Sequence, residues 1–171
     1  MIILNLVAEN DCQQAIKDYL EENNIAIAPL KVNIDGTDYL DGVDLERNEF
    51  YEILTSTEVF PKTSQPSPQN LVDIFEDVKE KGDECICIML SSGLSGTYQA
   101  TVLAKDIVEY ENIHLIDSKT VSCGTQILVR EAIKMIMQGC NAQEIIDKLE
   151  EMGIKDGDTV DIFGFRFDYL S

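Results

Sequence analysis

Four short apolar runs, at residues 1–7, 25–32, 85–90 and 113–116, alternate along the chain with segments patterned for helices. Short runs that are apolar at nearly every position, rather than at every second one, suit strands buried on both faces, and such strands belong to a sheet covered by helices. The alternation therefore predicts an α/β fold with a mainly parallel sheet and helices on both faces. Helices are expected at about residues 12–23, 47–55, 68–81, 97–109, 123–138 and 142–151. Ser67-Pro68 supplies an N-cap with proline at the first helical position, and Gly82 and Gly139 suit helix stops. Past residue 156 a turn leads into an aromatic, β-favouring run, where one more strand is expected.

With 171 residues the chain can bury about 70% of its unfolded surface, and one domain over residues 1–171 is expected. Its formal charge of −19 argues against nucleic acid and anionic membrane surfaces as partners, because both are bound through Lys/Arg patches. The apolar opening carries no basic leader and is far shorter than the ~20 residues of a membrane span, so no membrane insertion and a cytoplasmic setting are expected. Five cysteines, an odd number, point to reduced thiols rather than a disulfide framework. Cys85 and Cys87, two apart in a strand, share one face. A structural zinc site needs four ligands and no matching pair exists, so packing is their expected role, with no metal and no cofactor.

Two polar loops punctuated by proline and glycine each lead into a helical pattern. They are Pro61-Lys62-Thr63-Ser64-Gln65-Pro66-Ser67-Pro68 and Ser91-Ser92-Gly93-Leu94-Ser95-Gly96-Thr97-Tyr98. The second follows an apolar run and opens a helix, so its N–H groups and hydroxyls belong at a helix N-terminus, where phosphates and carboxylates are favoured. Thr63 is pinned by neighbouring prolines with its hydroxyl free to donate. Ser95 lies between Gly93 and Gly96, which permit unusual φ and close approach of a ligand to the backbone. Ser92 can add a donor and Gln65 can orient Thr63 or the ligand. Asn10, Asp11 and Cys12 either line the same crevice, since ligands of open α/β sheets sit at the carboxyl ends of strands, or simply cap the helix that follows them.

These loops, together with Ala28-Pro29-Leu30-Lys31-Val32-Asn33-Ile34-Asp35-Gly36, Tyr39-Leu40-Asp41-Gly42-Val43-Asp44 and Ile116-Asp117-Ser118-Lys119-Thr120-Val121-Ser122, resemble the signature of the DegV family of bacterial fatty-acid-binding proteins. The resemblance runs from about residue 25 to 152. It implies a soluble, non-catalytic carrier that buries an acyl chain between two domains and offers the carboxylate of a long-chain fatty acid to a partner fatty-acid kinase. It also implies Thr63 and Ser95 as the carboxylate-binding pair. The family's Asp-Ser-Thr turn after the first strand is matched by Asn10-Asp11-Cys12, which puts the Asp11 anion near that carboxylate. The family's second domain is expected to be absent from residues 1–171, which end near its domain boundary. A homo-oligomer or another chain would then have to cover the open face.

Other chemistries fare worse. A hydrolase elbow needs glycine two residues after its serine, and Thr97 stands there. The sole histidine, His114, opens an apolar run and is expected to be a satisfied strand residue rather than a catalytic base. Asp117-Ser118-Lys119 is expected to be a loop whose aspartate caps the next helix. A phosphate site at residues 93–97 would lack the lysine of a P-loop. The alternative to a lipid carrier is an interaction or regulatory module, or a degenerate short form, whose exposed apolar face pairs with another chain.

Overall fold

The computed structural model describes residues 2–5, 19–20, 22–41, 43–45, 47–121, 123–152, 159–162 and 165–168. Strands β1 (Ile2–Asn5), β2 (Ile25–Ala26), β6 (Cys85–Met89) and β7 (Ile113–Asp117) form one sheet in the order β2-β1-β6-β7, parallel at every pairing. All five side chains of β6 are buried, and alternation along the strand sends them to opposite faces. On one face Cys85, Cys87 and Met89 pack with Leu71, Phe75 and Val78 of α2 (Pro68–Lys81) and with Ala100, Ala104 and Val108 of α3 (Thr97–Val108). On the other, Ile86 and Ile88 pack with Leu128, Val129 and Ala132 of α4 (Cys123–Met137) and with Ile145 and Leu149 of α5 (Ala142–Met152). The expected helix-covered parallel sheet is what forms.

Local signals place the helix ends. The Ser67 hydroxyl accepts the Asn70 N–H at 3.2 Å ahead of Pro68. Gly82 ends α2 at φ 67°, its N–H reaching the Lys79 carbonyl at 3.1 Å while Asp83 N–H reaches Val78 at 3.0 Å. Of the helix expected at residues 12–23, Tyr19, Leu20, Glu22 and Asn23 lie among the described residues; the first three are helical and Asn23 is in a turn.

The run at residues 25–32 is not one strand. Residues 27–30, among them Pro29 with no N–H to give a ladder, lie outside any strand, and the run serves two sheets: β2 belongs to the parallel sheet, and β3 (Lys31–Ile34) lies at the centre of a separate three-stranded antiparallel one. The turn between β3 and β4 (Thr37–Leu40) is Asp35-Gly36, both at positive φ (50° and 83°), the type I′ geometry that Asp-Gly favours in two-residue hairpins. Strand β5 (Lys62–Ser64) pairs Thr63 with Val32. Helix α1 (Arg47–Ser56) lays Phe50 and Ile53 against Val32, Ile34 and Leu45. In place of the single strand expected near the end, β8 (Thr159–Ile162) and β9 (Phe165–Asp168) pair as an antiparallel hairpin.

The two strand cysteines share a face, as their spacing requires, with Sγ atoms 3.5 Å apart and both residues fully buried. Burial, reinforced by the Cys85 thiol, pushes the Cys87 thiol well above its ordinary range. A thiol held neutral is a poor nucleophile. Alkylation of the native protein with iodoacetamide is therefore expected to leave Cys85 and Cys87 unmodified by mass spectrometry. Labelling of either at the rate seen in denaturant would contradict this packing.

Candidate functional site

Strands β6 and β7 point their carboxyl ends the same way, and the loop at residues 91–96 leaves β6 to enter α3 through Gly96, the residue preceding the helix. This is the helix-entry loop expected from the sequence. Its seat is the loop after β7. Ser91 N–H donates to the Thr120 carbonyl at 2.9 Å and Ser118 N–H to the Met89 carbonyl at 3.0 Å. The Asp117 carboxylate accepts the Ser92 N–H at 3.1 Å on one oxygen and the Ser92 hydroxyl at 2.5 Å on the other. It also accepts the N–H of Lys119 at 3.1 Å. Asp117 was expected to cap the next helix; its carboxylate turns instead onto the loop of residues 91–96. The reason is topological: adjacent parallel strands bring their two exit loops side by side.

Ser95 is half-buried at the base of α3. Its oxygen accepts the Thr97 N–H at 3.3 Å and lies 2.9 Å from the hydroxyl of Thr97, which is fully buried. A buried hydroxyl takes what partner it has; one hydrogen serves this pair, and when Thr97 supplies it Ser95 keeps its own for an outside acceptor. Thr97 is the residue that sequence reasoning missed: its one distinguishing signal is a hydroxyl at the first position of a helix that lacks a side-chain cap.

Thr63 is exposed in the middle of β5, with its backbone held by β3 rather than by its prolines alone. Two residues on, Gln65 joins the loops. A Cβ placed on Gly96 would stand 2.3 Å from Gln65 Oε1, so the amide occupies the space that a side chain at 96 would fill. This corrects the expectation of unusual φ: Gly96 sits at −71°, and its lack of a side chain serves close approach. A Cβ placed on Gly93 would meet only the Ser91 hydroxyl, at an ordinary 3.6 Å, and that hydroxyl accepts the Gly93 N–H at 3.3 Å. Ser92 has both its donors engaged by Asp117, so it anchors the loop. Asp11 lies outside the described residues.

His114 sits at the opposite end of β7 from Asp117, three residues and ~10 Å along the strand, with Nε2 3.1 Å from Glu84 Oε1. It is the satisfied strand histidine that was expected. Among the described residues no three His, Cys, Asp or Glu side chains gather as a metal site, and no helix is long and apolar enough to cross a membrane.

The family model described as DegV matches residues 11–157, most of the chain. The chain belongs to the DegV family. A DegV domain-containing protein of Caldanaerobacter subterraneus subsp. tengcongensis is 38% identical over 135 residues, 79% of this chain and 48% of that protein. Among solved structures, a stearic-acid-binding protein of Eubacterium ventriosum aligns at TM-score 0.77 and 33% identity over 87% of this chain and 51% of its own. DegV of Bacillus subtilis, a fatty-acid-binding protein, aligns at TM-score 0.76 and 28% identity over 88% and 52%. This DegV chain thus spans about half the length of the relatives it matches.

Proposed function

We propose that this chain binds long-chain fatty acid without catalysing a reaction, with Thr63 and Ser95 donating hydrogen bonds to the carboxylate and Gly93, Gly96, Gln65 and Ser92 shaping the cradle. The observation that carries the proposal is the close approach of the Gln65 amide to Gly96, which sets the loop bearing Thr63 beside the loop bearing Ser95. Support comes from the Ser95–Thr97 pair, which leaves a hydroxyl hydrogen free, and from the fatty acids bound by relatives of the same fold. Phe60 and Leu94, next to the two loops and 84% and 70% exposed, offer apolar surface to an acyl chain. A second copy of the chain packed on this surface would add to that wall. The carboxylate, held at exposed loops, is then within reach of a partner kinase.

The test is to extract the purified protein under denaturing conditions, look for acyl ligand by mass spectrometry, and titrate oleate by calorimetry. Each hydrogen bond to a charged group contributes about 1.5–3 kcal/mol. Thr63→Ala combined with Ser95→Ala is therefore expected to weaken oleate binding by about 100-fold or more. Oleate binding that is unchanged in the double variant would end the proposal. Formation of acyl phosphate on adding a fatty-acid kinase and ATP tests presentation, and its absence with ligand-loaded protein would leave a binding module alone.

A further inference from the structure

The loop that carries Ser95 makes few bonds of its own. Within residues 91–96, Leu94 and Ser95 N–H groups both return to the Ser91 carbonyl at 3.0 and 3.2 Å, so the turn closes on Ser91; its far end is tied to α3 through Ser95 and Thr97, and its near end depends on what fixes residues 91 and 92. Ser91 is fixed by one backbone bond to Thr120. Ser92 is fixed by one side chain, Asp117, whose two oxygens take the Ser92 N–H and hydroxyl while the Lys119 N–H holds the carboxylate in place. Lys119 itself adopts φ 50°, a conformation disfavoured for a side-chain-bearing residue, and the bond of its N–H to Asp117 offsets part of that strain. The same carboxylate therefore sets the shape of both strand-exit loops. Both donors of Ser92 are consumed in the process, which leaves the hydroxyls of Ser91 and Ser95 as the side-chain donors of this loop.

We propose that Asp117 is a positioning residue: without touching the ligand, its carboxylate holds Ser92 and so aims the Ser95 hydroxyl at the carboxylate of a bound fatty acid. The ligand part of this inference rests on the fatty-acid reading above; the loop part stands independently. Asparagine at 117 retains one acceptor oxygen for the N–H groups of Ser92 and Lys119, and its amide can donate to the Ser92 oxygen. Alanine retains neither bond.

Two measurements on the full chain separate these roles. In amide hydrogen exchange followed by NMR, Asp117→Ala is expected to raise exchange at Leu94 and Ser95 by about tenfold or more, as local opening becomes easier, while β6 and α2 exchange as before. Asp117→Asn is expected to restore slow exchange. In oleate titration, Asp117→Ala is expected to weaken binding about tenfold and Asp117→Asn to bind no more weakly than the unaltered chain. Unchanged exchange at Leu94 and Ser95 in Asp117→Ala overturns the proposal, as does an asparagine variant as loose as the alanine one. A loosened loop in a protein whose unaltered form takes no oleate supports the clamp and overturns the fatty-acid reading instead.

Discussion

Phe75→Ala is expected to cost about 3–5 kcal/mol of stability, which is the range for truncating a large buried aromatic side chain. Phe75 is fully buried on α2, between that helix and the face of β6 that carries Cys85, Cys87 and Met89. Two features push the value toward the upper end. Its neighbours Leu71, Val72 and Val78 are on the same short helix and cannot close over the void without moving it, and the opposing strand is locked between β1 and β7. Thermal unfolding should show the midpoint lowered by on the order of 10 °C, since about 2–4 °C accompanies each kcal/mol in a domain of this size. A change below about 1 kcal/mol would mean that α2 is not seated as described.

Gly124→Ala presents two opposed effects whose sizes decide the sign. Glycine in a helix is disfavoured by about 1 kcal/mol relative to alanine, so propensity alone predicts a gain. The new Cβ, however, would lie 2.0 Å from Thr120 Oγ1, 2.7 Å from its Cγ2 and 2.9 Å from its Cβ. The last of these is not the end of a flexible chain, so Thr120 must shift, and overpacking of this kind costs about 1–3 kcal/mol. Thr120 is also the seat of the candidate site: its carbonyl accepts the Ser91 N–H and, at 3.1 Å, the Ser118 hydroxyl. We therefore expect net destabilisation of up to about 2 kcal/mol in urea unfolding, together with weaker oleate binding. In the double variant with Thr120→Ala the two stability losses should be clearly less than additive, the signature of neighbours that share one clash. A stabilised single variant would show that Thr120 yields freely and that the seat is soft.

The elements that could be foreseen from the sequence are those specified by near neighbours. Ser67-Pro68 and Gly82 mark the ends of α2 through bonds spanning three to five residues, and β6 declares itself by being apolar throughout. What could not be foreseen is held together at long range. Lys62-Thr63-Ser64 is polar, exposed and flanked by proline, and it is a strand because β3, some 30 residues earlier, offers it a ladder. Lys31 to Ile34 continues an apolar run, yet it belongs to a different sheet. At the candidate site the two loops, and Thr63 and Ser95 as residues of interest, were visible as local patterns and through family resemblance. The pairing of Asp117 with Ser92, 25 residues apart, and the fit of Gln65 against Gly96 were not, because no local pattern encodes which strand exits end up adjacent.

The order β2-β1-β6-β7 places the first strand of the chain inside the sheet, with Ile2 opposite Cys85. On the ribosome β1 can meet β2 as soon as residue 26 has emerged, but its other edge stays open until β6 arrives about 60 residues later. At ~5–20 residues per second that is a delay of several seconds. During that interval the short hairpin at Asp35-Gly36 can close by itself, whereas the apolar β1 edge is exposed to any other nascent strand. The period of greatest aggregation risk for this acidic chain therefore falls in synthesis, before the protein's own sixth strand exists to cover the first.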